Sequence, residues 1–394
     1  MTDPAEALRL LLTASYRAGP RDIADLARGV APALDATDVV IYLVDYSQTD
    51  LLRLADRDAA AIPVDGTLAG RAFATGQVYD SGSDGETHVW VPLLDGAQRL
   101  GVVEIRTKTP PSAPQRHAYE LVAALLAQLV TTRRNYGDAV EHTRRKLPMQ
   151  VATEIVWGLL PPLTFVDDAV AVSGILEPCY EVGGDVFDYA VNGEVAHLAL
   201  FDAVGHGTSA SMLSTIALNA YRNARRCGLD LVDTYRSIDK WVRAEYPEAF
   251  LTAILAELDL TTGHYRRICA GHLPEMLFRD GRLIKRLAGE TTLPLGMGDL
   301  AGSPPSVTEE GLQPGDLLLL YTDGVIEARS EKGVFFGEDR LAGFLSRALA
   351  DHLPPAETMR RLIRAILEHQ HEQLQDDATA LCLQWLAGRE MAPF

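Results

Sequence analysis

The chain has 394 residues, 47% hydrophobic and 23% charged, with 54 acidic against 36 basic side chains and a formal net charge of −18. That length suits two domains with a connector, and the composition is that of a globular protein with enough apolar residues for a sizeable core. The acidic balance argues against general nucleic-acid binding, which needs basic patches against phosphate, and fits poorly with an anionic membrane surface. No apolar run approaches a membrane span, and the start "MTDPAEALRL" lacks the basic and apolar regions of a signal peptide. Cys179, Cys227, Cys269 and Cys382 are scattered without C-x-x-C spacing, which reads as reduced, buried thiols in a cytoplasmic protein. None has an arginine six residues on, so a cysteine-nucleophile phosphatase loop is absent.

Residues 1–131 alternate helix and strand signals. A helical start runs to about Leu34, followed by strand-like "DVVIYLVD" and "LLRLAD". Next come "GTLAGRAFATGQVYD", a loop with a short helix, and "HVWVPLLDGAQRLGVVEIRT", two β-rich runs joined at Asp95-Gly96. The words "GTLAGRAFATGQ" and "VPLLDGAQRLGVVEI", in this order of elements, resemble a GAF domain. The resemblance implies a small α/β sensor module with an unknown ligand. No cysteine precedes residue 179, so a thioether-linked bilin and a thiol switch are excluded here.

Residues 132–162 read as a helical linker. "HAYELVAALLAQLVTTRRNYGDAVEHTRRK" predicts one long helix that also closes the sensor. Its apolar positions Val122, Leu125, Leu126, Leu129, Tyr136, Val140 and Leu147 suit a two-stranded coiled coil and a homodimer through 113–147. Arg133 and Thr143 interrupt that seam. Pro148 breaks the helix, and "QVATEIVWGLLPPL" predicts a second one ending at Pro161-Pro162. Its patch of Ile155, Val156, Trp157, Leu159 and Leu160 must bury against something, which makes this helix a candidate switch.

Residues 163–388 place hairpins and helices in a pattern unlike alternating βαβ. The first hairpin lies within "YEVGGDVFDYAVNGEVAHLALFDAVGHG", residues 180–207, where Asn192-Gly193 is a strong two-residue turn signal. Val191 then pairs with Glu194, which sets Asp202 opposite Gly183, two positions from Asp185. Both carboxylates share a face and repel unless a cation sits between them. Further hairpins are expected at Thr262-Gly263 and Asp280-Gly281, and helices at 208–227, near 231–245 and within 338–371. "DLLLLYTDG" and "ATALCLQWL" read as buried strands. Runs of antiparallel strands separated by helices give an α+β class of stacked sheets covered by helices.

The buried strand "DLLLLYTDG" ends at Asp323, and Asp376 and Asp377 immediately precede the last strand. Each alone is equally the acidic end of a turn. With the hairpin they make four acids where strands meet tight turns, an oxygen-only set that suits Mg²⁺ or Mn²⁺. His206 and His272 could ligate metal but read rather as turn residues packed near the site, because no second histidine stands at ligand spacing.

"EVGGDVFDY", "ALFDAVGHGTSASM", "AGHLPEML", "LPLGM", "LLLLYTDGVIEAR" and "DDATALCL" occur in an order that resembles the SpoIIE-like branch of the protein phosphatase 2C superfamily. The resemblance covers about 150–388. It implies a four-layer αββα sandwich around two Mn²⁺ or Mg²⁺ ions. It also implies that Asp202 bridges them, that the Ala203 carbonyl contributes an oxygen, and that Asp185, Asp323 and Asp376 complete the set. Asp377 is expected behind the ligands, Asp188 as a possible further metal site, and no residue matches the phosphate-binding arginine of eukaryotic relatives. The implied activity is a metal-dependent serine/threonine phosphatase acting, without a protein nucleophile, on a phosphorylated anti-anti-sigma protein. A nucleotide or small-molecule phosphohydrolase and a non-catalytic phosphoprotein scaffold are the rival readings, the latter disfavoured because all four acids are present.

Overall fold

A computed structural model describes residues 4–83, 85–177, 180, 183–370 and 376–387. The chain divides at Pro148–Met149 into two compact units. That boundary falls inside the segment expected as a linker. Residues 132–148 pack with the first unit and 149–162 with the second, so the 132–162 linker is shared out between them.

The first unit runs α1 (Pro4–Ser15), α2 (Ile23–Gly29), β1 (Asp38–Val44), β2 (Asp50–Arg53), β3 (Ile62–Pro63), α3 (Leu68–Thr75), β4 (Tyr79–Ser83), β5 (Glu86–Asp95), β6 (Gln98–Thr107), α4 (Ala113–Arg133) and α5 (Ala139–Arg144). Its antiparallel sheet has the order β3-β2-β1-β6-β5-β4. Alternation along β1 divides the core in two. Val39, Ile41 and Leu43 meet α1, α2 and α4, whereas Val40, Tyr42 and Val44 meet α3 on the other face.

The expected long helix is not continuous. α4 ends at Arg133, a short 3₁₀ turn follows, and the chain leaves helical geometry at Gly137 before α5 begins. Much of the apolar seam expected for a coiled coil is already used: Val122, Leu126, Leu129 and Val140 are buried in this unit's own core, whereas Tyr136 and Leu147 are exposed. Glycine at 137 costs the helix backbone entropy and packs nothing, which explains the break better than the periodicity forecast its continuation.

The second unit begins with α6 (Val151–Leu159) and continues β7 (Thr164–Val166), β8 (Val170–Glu177), β9 (Val186–Asn192), β10 (Val195–Ala203), α7 (Thr208–Arg226), α8 (Leu231–Glu245), β11 (Leu251–Asp259), β12 (His264–Ala270), β13 (Met276–Arg279) and β14 (Arg282–Arg286). It closes with β15 (Thr308–Gly311), β16 (Leu317–Tyr321), α9 (Asp323–Ile326), α10 (Glu338–Ala350), α11 (Pro355–His369) and β17 (Ala378–Trp385). Two sheets form, β15-β12-β11-β10-β9 and β14-β13-β16-β17-β8-β7, with antiparallel strand pairing throughout.

Strand alternation orders the layers. Ala199 and Phe201 of β10 face α7, where Phe201 meets the Tyr221 ring edge-on at 6.0 Å. Leu198 and Leu200 face the other sheet, sharing one core with Leu318 and Leu320 of β16 and Leu381 and Leu383 of β17. The intervening Leu317, Leu319 and Tyr321, with Ala378, Ala380 and Cys382, belong to a separate core against α10 and α11. The second unit is therefore helix, sheet, sheet, helix. Cys269 and Cys382 are buried, Cys227 is exposed against expectation at the end of α7, and Cys179 lies outside the described residues.

Candidate metal centre

The first hairpin brings Asp185 and Asp202 together, in a register two residues from the expected one. Asn192 pairs with Val195 and Phe201 with Val186, so the loop is Gly193-Glu194. Gly193 alone takes positive φ, 57°, where a type II′ turn requires it, and Asn192 stays in the strand. Continued by one pair, this register sets Asp202 directly opposite Asp185 instead of diagonally. Because the shift is even, the carboxylates keep their shared face. That face is the one turned toward the second sheet, since Asp202 has the parity of Leu198 and Leu200.

The second sheet answers with residues of matching parity. Thr322 follows Leu318 and Leu320 to the inner face, and Asp377 and Thr379 precede Leu381 and Leu383 there. The Thr322 hydroxyl donates to Asp185 Oδ2 at 2.7 Å. The Asp377 carboxylate accepts from the Gly183 N–H, 2.7 Å to each oxygen, and from the Asp185 N–H at 3.2 Å. From the opposite side Ser211 of α7 donates to the Gly183 carbonyl at 2.6 Å and Ser214 donates to the Gly184 carbonyl. The segment carrying Asp185 is thus held from both sheets and from α7.

Two glycines permit the close approach. A Cβ on Gly184 would lie 2.6 Å from the Ala203 carbonyl oxygen, and one on Gly324 would lie 2.0 Å from that of Asp377. Any larger residue would force apart the hairpin or the strand mouth. Asp323 opens α9 directly after β16, and Asp376 stands one residue before Asp377; both side chains are at the exposed mouth, with Asp185 at the buried floor.

The electrostatics follow from burial and crowding. Burial, then repulsion from Asp202 and Asp377, raises the Asp185 carboxyl well above its ordinary range. Asp202 is pushed up to about 7, first by burial and then by Asp323, Asp376 and Asp377, partly offset by a hydrogen bond with Asp185. Asp377 rises to about 6 through burial, against the pull of the N–H groups it accepts from. Asp323 is raised by burial, Asp376 and Glu327. Among the described residues, no three His, Cys, Asp or Glu side chains form a ready-made metal cage; the acids stand in each other's field without enclosing a single point.

Other expected residues fall elsewhere. Asp188 is no spare metal ligand: it is buried between Arg222 at 2.6 Å and Arg225 at 2.8 Å, both on α7. His272 has both ring nitrogens engaged, Nδ1 with the Thr252 hydroxyl and Nε2 with the Tyr321 carbonyl, and offers none to a metal. His206 is exposed beside the hairpin. Sequence reasoning missed Thr322, Ser211 and Ser214. The inward parity of Thr322 and the three-residue spacing of the serines on one helical turn were the available signals.

Residues 192–386 match the family Stage II sporulation protein E (SpoIIE). Over these residues the C-terminal unit carries a SpoIIE-type domain. Asp202, Asp323 and Asp376 lie within the matched SpoIIE residues and Asp185 just before them. Phosphoserine phosphatase RsbU of Bacillus subtilis (strain 168) is 21% identical over 243 residues, covering 60% of this chain and 70% of RsbU. Protein IcfG of Synechocystis is 22% identical over 242 residues, 54% of this chain but 37% of that protein. Among solved structures, the SiaA-PP2C domain of Pseudomonas aeruginosa is 22% identical with a TM-score of 0.49, covering 59% of this chain and 94% of that domain.

Proposed function

We propose that the SpoIIE unit hydrolyses phosphoserine and phosphothreonine esters on a regulatory protein, using two Mn²⁺ or Mg²⁺ ions held by Asp185, Asp202, Asp323, Asp376 and the Ala203 carbonyl. The carrying observation is that Asp185, Asp202 and Asp323 stand in the field of neighbouring carboxylates where the two sheets meet, and burial and that repulsion raise all three. Such an arrangement is costly until cations neutralise it. The donors are all oxygens, which fits a hard divalent ion, and the absent Cβ of Gly184 leaves space beside the Ala203 carbonyl. Asp202 takes the bridging role in this reading, as the resemblance implies, and it stands beside Asp185 in the field of Asp323, Asp376 and Asp377.

Bound there, the ions would supply an activated water at neutral pH and offset charge on the phosphoryl oxygens. The protein's own contribution is positioning. Thr322 fixes the Asp185 carboxylate, Asp377 fixes the backbone that carries it, and Asp323 and Asp376 keep the mouth open to a phosphate presented from outside. No serine, cysteine or histidine is needed as a nucleophile.

The first unit reads as a GAF-like sensor for an unknown ligand, supported by its antiparallel sheet with three helices on one face and α3 on the other. Exposed Leu12 on α1 and Leu121 on α4, helices in mutual contact, support a homodimer through this unit. The resemblance makes a phosphorylated anti-anti-sigma protein the expected substrate. No helix among the described residues is long and apolar enough to cross a membrane, and a cytoplasmic setting suits such a partner. The deciding experiment incubates the full chain with a phosphoserine protein in Mn²⁺ and after metal removal by EDTA. Phosphate release is expected only with metal; activity within a few-fold after stripping overturns the reading.

A further inference from the structure

His272 lies in the segment after β12, and its imidazole joins two sheets. Nδ1 is 2.6 Å from the Thr252 hydroxyl on β11, and Nε2 is 3.2 Å from the Tyr321 carbonyl at the end of β16. A carbonyl only accepts, so Nε2 carries the proton; Nδ1 is then the acceptor and the Thr252 hydroxyl donates to it. Burial pushes this imidazole down to about 4, which keeps the ring neutral and the tautomer fixed at working pH.

The strand positions at the two ends of the ring give it consequence. Thr252 is the cross-strand partner of Asp202. Tyr321 is followed by Thr322, which donates to Asp185, and then by Asp323. One rigid side chain therefore spans from the strand beside Asp202 to the strand that ends at Asp323.

We infer that His272 is a positioning residue, a neutral strut that sets the gap between the Asp202 and Asp323 sides of the centre and thereby its affinity for divalent ions. The inference rests on the metal-centre reading above. A side chain that merely filled the core would be replaceable by a ring of similar size. A strut would not be, because a phenyl group makes neither hydrogen bond and lets the sheets settle at another spacing. Groups that orient metal ligands without touching the ion typically alter affinity about 10–100-fold.

The test is Mn²⁺ titration of the full chain, followed by calorimetry and by the electron paramagnetic resonance spectrum of the bound ions. His272→Phe is expected to weaken Mn²⁺ binding about tenfold or more and to diminish the spin-coupled two-ion spectrum. Thr252→Val should move both readouts the same way, and His272→Gln, whose amide can donate to the Tyr321 carbonyl, should recover part of the loss. Thr252→Val decides the matter if His272→Phe fails to fold. Wild-type affinity and spectrum in the variants, with only the melting temperature changed, overturn the strut. Absence of Mn²⁺ binding to the unaltered chain overturns the metal-centre reading itself, and the strut with it.

Discussion

Asp202 stands opposite one buried acid and within the field of three more, so its substitution has opposite effects on function and on stability. Asp202→Asn keeps the shape and removes a charge. Turnover is expected to fall about 10³-fold or more when a shared metal ligand is lost, whereas the metal-free protein should melt at a higher temperature at pH 8. The same acids set a pH dependence. The folded chain holds a proton on Asp202 up to about pH 7 that the unfolded chain releases near its ordinary carboxylate value. Stability of the metal-free protein from this group is therefore fully present at low pH and is lost as pH rises through about 7. Thermal melts of the stripped protein should show a lower Tm at pH 8 than at pH 5.5, with Mn²⁺ restoring it at pH 8. A flat profile would mean that the carboxylates do not repel as their placement requires. Asp185, Asp202 and Asp323 were legible because each sits where a strand meets a glycine-containing turn, and Asp376 because it immediately precedes the last strand. Thr322 was not, since a threonine at a strand end has no distinctive spacing and its role depends on which face it inherits.

At the scale of elements, α6 is the piece whose role sequence could raise but not decide. Its Val156 is buried in the second unit's core, its start is tied by the Gln150 N–H and the Thr153 hydroxyl to the Tyr180 carbonyl, and Arg222 donates to the Leu159 carbonyl at its end. Arg222 also pairs with Asp188, three residues along from Asp185. A disturbance of α6 can thus reach the hairpin of Asp185 and Asp202 through packed groups alone. Thr153→Val and Trp157→Ala replace none of the proposed metal ligands; each should shift the Mn²⁺ midpoint for activity as well as the Tm. Loss of one hydrogen bond is worth about 1 kcal/mol, so for Thr153→Val a spacer helix predicts a stability loss of that size and an unmoved Mn²⁺ titration. Elements themselves were mostly readable: Asp280 and Gly281, at φ 48° and 72°, form the expected turn between β13 and β14. The β11–β12 connection is longer than expected, Leu260 to Gly263, and the first hairpin slipped by two because asparagine and glycine both favour such turns. The break after α4 escaped notice because apolar spacing continues across Gly137 while the backbone does not.

For the whole molecule, the layered second unit was legible because antiparallel runs and intervening helices leave few ways to bury both faces of each strand. The substrate class is the property that depends on the molecule as a whole. Asp323 and Asp376 sit at an exposed mouth, so a phosphate can arrive on a loop of another folded protein, and the remainder of that protein then lies against the surface around the site. Contacts remote from the phosphorus can be stronger in the transition state than in the encounter, and they raise kcat/KM only for a substrate large enough to make them. A small aryl phosphate reaches the same metals with none of those contacts. The full chain should therefore show a kcat/KM for a phosphoserine regulatory protein at least about 10²-fold above that for p-nitrophenyl phosphate. Nucleotides should be no better than the aryl ester, because the chain's net charge of −18 offers a polyphosphate no general attraction. Side-by-side kinetics at fixed Mn²⁺ and ionic strength measure this directly. Equal efficiency on the protein and the aryl ester would locate all recognition in the metals, and a preference for nucleotides would move the enzyme to a different substrate class while leaving its carboxylate chemistry intact.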